Sequence, residues 1–271
     1  IGNYEKAGKA PLLLSGEQSF SKKRSCEYQD LEYPDDCIVD FDMRLIDLFK
    51  EMDKKKLTLK MQIRQEYYRV KELLDGKRPS RMDLFTYMDD EIYRICVSGS
   101  HAKENPFQHY LDFLYELGEL SEDEQKLYAG IGREFIQTIE TTEMQKVYKM
   151  PILYSFYNHG NIRLAVTDEE VLESWKEFFD TGTNWKDFPN VNTYEDYKKV
   201  TDKQHLSKAK RMPIRFLKAS GKGFFVEKDG YALALRDEIG DVVGNMAFGE
   251  QMGDVLGYRS LEYYRRRYEK E

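Results

Sequence analysis

Three capping boxes constrain this chain more than any other feature. Ser80 is followed three residues later by Asp83, Ser121 by Glu124, and Thr167 by Glu170. In such a pair the hydroxyl accepts from the third helical amide and the acid reaches back to the cap amide, so each box sets a helix start. Helical periodicity fills the intervals. MRLIDLFKEM places Leu45, Leu48, Phe49 and Met52 at i, i+3, i+4, i+7 spacing. LTLKMQIRQEYYRVKELLDG reads as a second helix, stopped at Gly76 with Pro79 just beyond. A third starts at Ser80. NPFQHYLDFLYELGEL reads as a fourth, broken at Gly118, and the Ser121 box opens SEDEQKLYAGIGREFIQTIETTEMQKVYK. Short loops and one apolar stripe per helix make residues 43–145 a helical bundle.

The composition changes near Pro151. MPILYSFYNHG reads as a short helix ending at Gly160, and NIRLAV has strand character. The Thr167 box opens DEEVLESWKEFFD, and a loop, TGTNWKDFPNVN, follows. EDYKKVTDK and HLSKAKRMPIRFLKAS lead into the hairpin GFFVEKDGYALAL, with Asp229-Gly230 at its turn. Helix, strand, helix, helix, hairpin is the winged-helix order. The expected fold is mainly α: a helical bundle followed by a winged-helix-like α+β unit with a small β-hairpin. The winged-helix-like domain spans 146–240, and 241–271 is a helical tail. In that tail Met252, Val255, Leu256, Tyr258 and Leu261 are expected on one face, and Arg265, Arg266 and Arg267 suit a helix C-terminus.

Charge supplies the functional signal. The chain has 271 residues and a net charge of -7, yet Lys198–Lys222 holds nine Lys or Arg against one acid, Asp202. Such a cluster neutralises phosphates and releases counterions, giving salt-dependent affinity with little sequence preference. The expected nucleic-acid-binding residues are Lys203, Lys208, Lys210, Arg211, Arg215, Lys218 and Lys222, with Lys228 on the wing. Leu206, Met212, Ile214, Phe216 and Leu217 are expected to supply apolar stems for packing. The competing expectation is a solvated or protein-docking face, in which this charge meets acidic protein surface.

Other chemistries find less support. Cys26, Cys37 and Cys96 are too few and uneven for a disulfide framework. His101, His109, His159 and His205 lack metal-ligand spacing, and Cys96 and His109 read as packed helix residues. Asp40 and Asp42 share a strand face near Asp35-Asp36 and could hold a magnesium ion, but acids there are more commonly edge residues. Asp196-Tyr197-Lys198 has the acid-x-Lys spacing of one nuclease class without its upstream acid. No phosphate-cradling Gly-rich loop ending in Lys-Ser/Thr and no Gly-x-Ser-x-Gly elbow occurs. Trp175 is expected in the core. Trp185 reads as packing ahead of a stacking platform for a base. No apolar run approaches eighteen residues and no signal peptide is present, so no membrane partner and a cytoplasmic location are expected. The chain starts at Ile1, which reads as a piece of a longer polypeptide.

Several segments together carry a resemblance. IGNYEKAGKAPLLLSG resembles the end of the second RecA-like domain in a group of bacterial DEAD/DEAH-box (superfamily 2) helicases. DDCIVDFDMRLIDLFKEMD, RPSRMDLFTYMD, HYLDFLYELGELSEDEQ and GYRSLEYYRRRYEKE resemble the region that follows it there. The resemblance implies a C-terminal accessory region of an ATP-dependent helicase. Residues 1–42 would then be the end of the upstream RecA-like domain plus a linker. Partners would be DNA or RNA and the parent's own RecA-like motor domains. ATP and magnesium would belong to those motor domains, with no cofactor and no catalytic residue in this fragment.

Overall fold

The computed structural model describes residues 57–158 and 160–268. The expected helix at 43–52, the CIVDFD strand, Cys26, Cys37, His159, the Asp35–Asp42 acids and the RecA-like end at 1–42 lie outside the described residues. The chain divides into two compact units, 1–62 and 63–271, and apart from Leu59–Gln62 every helix and strand of the described residues lies in the second.

The protein is mainly helical, and the described residues form two small antiparallel sheets. Helix α1 (Leu59–Leu73) buries Ile63, Glu66, Tyr67 and Val70 on one stripe. It stops where Gly76, at φ 80°, donates its amide to the Lys71 carbonyl (2.9 Å). The Ser80 box is formed and opens α2 (Arg81–Tyr87), and Asp89 caps α3 (Asp90–Cys96). Helix α4 (Tyr110–Leu117) starts later than its periodicity implied, because the Asn105 carboxamide oxygen accepts from the Phe107 amide (2.9 Å) and holds a turn there. Gly118 ends it in the left-handed conformation. The Ser121 box opens α5 (Glu122–Ala129). Gly130 is extended there, so α6 (Ile131–Thr141) is a separate helix instead of a continuation.

Helix α7 (Lys149–Phe156) leads into a hairpin of β1 (Tyr157–Asn158) and β2 (Asn161–Ile162). Strand β3 (Ala165–Val166) follows, then the Thr167 box and α8 (Asp168–Asp180). A short 3-10 turn at Asn184–Asp187 and α9 (Tyr194–Lys198) precede α10 (Asp202–Ala209), which Thr201 and Gln204 cap. The helix then widens over Lys210–Ile214 around Pro213 and resumes as α11 (Arg215–Ser220). Proline has no amide to donate and crowds the preceding turn, and a widened turn accommodates both. Strands β4 (Phe225–Val226) and β5 (Leu233–Leu235) pair with Phe225 opposite Leu235. Strand β3 pairs with the far edge of β5, giving the order β3-β5-β4. The Asp229-Gly230 turn lies within a six-residue loop, 227–232, and only Gly230 takes positive φ (83°).

Helix α12 (Met246–Tyr268) closes the unit. Met252, Val255 and Leu256 are fully buried, and Tyr258 nearly so. Leu261 is 45% exposed, contrary to the expected face: nine residues beyond Met252, at about 100° each, put it on the opposite side of the helix. A polar network ties α12 to the earlier helices. The fully buried Arg81 guanidinium donates to Glu140 (2.5 and 3.0 Å), to Gln251 (2.7 Å) and to Asp254 (2.8 Å), and lies 4.4 Å above the Tyr110 ring. Trp175 sits in the core against Tyr148 and Phe179, as expected. Among the described residues no helix is long and apolar enough to cross a membrane.

Candidate nucleic-acid interface

The basic block folds as α9, α10, the widened turn and α11, and its cations, together with Lys228 of the hairpin loop, fall into three groups. The first is neutralised internally. Lys210 lies 2.6 Å from Asp168 in the first turn of α8, Lys199 pairs with Asp196 (3.2 Å), and Lys218 pairs with Glu227 at the start of the hairpin loop. The block's acid, Asp202, is itself held by Lys176 of α8 (2.8 Å), and that bond lowers its carboxyl below the usual range.

The second group lies on aromatic rings. Lys198 sits 4.6 Å from the Tyr194 centroid, Lys208 5.1 Å from that of Tyr148, and Lys228 5.7 Å from that of Tyr231. Lys208 is half-buried, and burial, with Arg211 adding repulsion, lowers its amine. The ring face attracts each cation electrostatically without neutralising it as a carboxylate would.

Lys203, Arg211, Arg215 and Lys222 form the third group. All four are exposed, and none pairs with a carboxylate of the described residues. Arg211 and Arg215 are one helical turn apart. Lys222 follows α11 with φ 50°, a left-handed conformation uncommon for a residue with a side chain. The turn depends on Gly221, where a Cβ would lie 2.4 Å from both the Leu217 carbonyl oxygen and the Phe225 ring. Of the eight expected binding residues, Lys210 and Lys218 pair with carboxylates, Lys208 and Lys228 lie on rings, and these four have neither kind of partner among the described residues.

The apolar stems divide. Ile214 and Leu217 are buried and Leu206 half-buried, as expected, but Met212 is 37% and Phe216 49% exposed. The widened turn alters the helical phase that periodicity assumed, and Phe216 emerges beside Arg215. Sequence reasoning also passed over Lys149 at the start of α7, which is 91% buried. Its lack of an acidic neighbour at i±3 or i±4 is the signal that could have marked it.

Burial pushes the Cys96 thiol up to about 12, which suppresses the nucleophilic thiolate. His109 Nδ1 meets the Gln137 amide (2.7 Å). His205 is buried against Phe188 and Tyr197, and burial lowers its imidazole. Trp185 is half-buried against Tyr194, with Lys186 over its ring. No group of three His, Cys, Asp or Glu among the described residues is placed to hold a metal ion. A groove elsewhere carries the opposite sign, with Glu170, Glu173 and Glu177 on its wall. Compared with protein-family models, curated proteins and solved structures, the chain matches none.

Proposed function

We propose that this chain is a non-catalytic, nucleic-acid-engaging accessory module of an ATP-dependent helicase, acting in the cytoplasm. The observation that carries the reading is the set of four exposed, uncompensated cations on one helix and its terminal turn. The strand order β3-β5-β4, with the strand before α8 on the outer edge of the hairpin, supports a winged-helix unit. In that reading α10–α11 is the recognition helix and the loop 227–232, with Lys228 over Tyr231, is the wing. Cations on this helix hold phosphates and fix register, while base identity contributes little. The resemblance to DEAD/DEAH-box helicase tails supplies the motor: ATP and magnesium chemistry belongs to the RecA-like domains, and this module grips the DNA or RNA they move along.

One observation favours a second reading. Lys199, Lys210 and Lys218 are covered by the protein's own carboxylates, which suits a module that docks on and regulates the motor domains. Fluorescence anisotropy of the 271-residue chain with labelled DNA separates the two. Reversing Arg211, Arg215 and Lys222 to Glu abolishes binding under the first reading. Under the second, the unaltered chain binds no nucleic acid and is instead retained by the isolated motor domains.

A further inference from the structure

A groove of about 430 Å3 opens beside the free cations, between the end of α6, the start of α7 and α11. Its size falls within the range of small-ligand sites, about 300–1,000 Å3. Its apolar walls include Met144, Tyr148, Pro213 and the exposed Met212 and Phe216. Lys149 lies in it, 91% buried. The Lys149 ammonium donates to Thr142 Oγ1 (3.0 Å) and contacts Ser220 Oγ at 3.5 Å, and it forms no ion pair with the described residues. An ammonium has three donors, so one remains for a ligand. A buried cation held only by hydroxyls costs free energy that an incoming anion relieves. Burial accordingly lowers the Lys149 amine, with Glu143 nearby opposing the shift and Arg259 adding to it. Lys222 reaches the same groove from the turn after α11.

We infer that this groove receives an unpaired nucleotide, its base against Phe216 and Met212 and its phosphate on Lys149 and Lys222. The inference rests on the nucleic-acid reading above and narrows it to strands with exposed bases. An aromatic ring and a thioether give a base a flat, polarizable surface that tolerates any sequence. A base stacked inside a duplex cannot reach such a groove, whereas Arg211 and Arg215 serve either kind of strand. The groove therefore separates single strands from duplex, and the outer cations do not.

The test uses the 271-residue chain, a labelled single strand, the matching duplex, and a single strand carrying 2-aminopurine. The unaltered chain favours the single strand, and the 2-aminopurine emission changes on binding. Phe216→Ala weakens single-strand binding about fivefold or more and leaves duplex binding unchanged. Lys149→Met does the same, with circular dichroism and Tm reporting whether it folds. Should the chain bind both strands but Phe216→Ala change neither, with 2-aminopurine silent, the groove inference falls and the nucleic-acid reading survives. If the unaltered chain binds neither, both fall.

Discussion

Lys210 lies 2.6 Å from Asp168, so one of the most central charges of the basic block is spent inside the protein. The pair joins the widened turn to the first turn of α8, while neighbouring Arg211 stays unpaired. Both partners are partly exposed, so the pair contributes at most about 1 kcal/mol to folding. Lys210→Ala should therefore unfold within about 1 kcal/mol of the unaltered chain in urea, and its DNA affinity should be unchanged. Arg211→Ala should leave stability unchanged and weaken binding across all sequences.

Arg81 is fully buried, and its partners Glu140 and Asp254 lie 59 and 173 residues away in sequence. Removing one partner of a buried ion pair leaves the others uncompensated, at a cost of about 3–5 kcal/mol. Arg81→Met should lower the urea unfolding free energy by that amount and release α12 first, which hydrogen exchange along Met246–Tyr268 would register.

Gly249 of α12 passes the β1–β2 turn closely. A Cβ there would sit 2.5 Å from the Gly160 carbonyl oxygen. Alanine gains about 1 kcal/mol in helix propensity, but overpacking costs about 1–3 kcal/mol, and a backbone oxygen cannot rotate away as a side-chain end could. Gly249→Ala should be net destabilising, seen as a lowered Tm. Gly130→Ala, which meets only the Lys126 carbonyl at 3.6 Å, serves as the unhindered comparison.

His205 gives the fold a pH dependence. Burial lowers its imidazole below the ordinary value of 6.5; Lys176 adds to the shift and Asp202 opposes it. Below 6.5 the unfolded chain binds this proton and the folded chain resists it. Stability is therefore complete above 6.5 and declines as pH falls through 6.5 toward the folded value. Tm measured from pH 7.5 to 5.5 should fall more steeply for the unaltered chain than for His205→Phe.

What the sequence made legible was local. Ser80, Ser121 and Thr167 start helices where expected because a capping box needs only four consecutive residues. Gly118 stops one because a left-handed cap needs only glycine. The block of charge was legible by the same token, but its neutralisation was not: Asp168 stands 42 residues from Lys210. Periodicity assumes an unbroken 3.6-residue turn, so the widening at Pro213 concealed the exposure of Met212 and Phe216. It likewise ran through Gly130 and across Asn105-Pro106, where backbone geometry and a side-chain turn end the helical path. The Arg81 network and the seat of Lys149 depend on tertiary contacts that no local pattern encodes.

The slope of binding against salt counts the phosphates that the basic patch neutralises. Anisotropy titrations of the 271-residue chain with a labelled single strand, from 50 to 200 mM salt, give log Kobs against log salt. The four exposed cations with neither a carboxylate nor a ring partner predict a slope of about −3, at roughly −0.7 for each single-strand phosphate neutralised, and it steepens by the same amount for each of Lys149, Lys198, Lys208 and Lys228 that also meets a phosphate. Removing Arg211 and Arg215 together should flatten it by about 1.4. Absence of binding at 50 mM salt, or binding whose slope is near zero, would contradict the account.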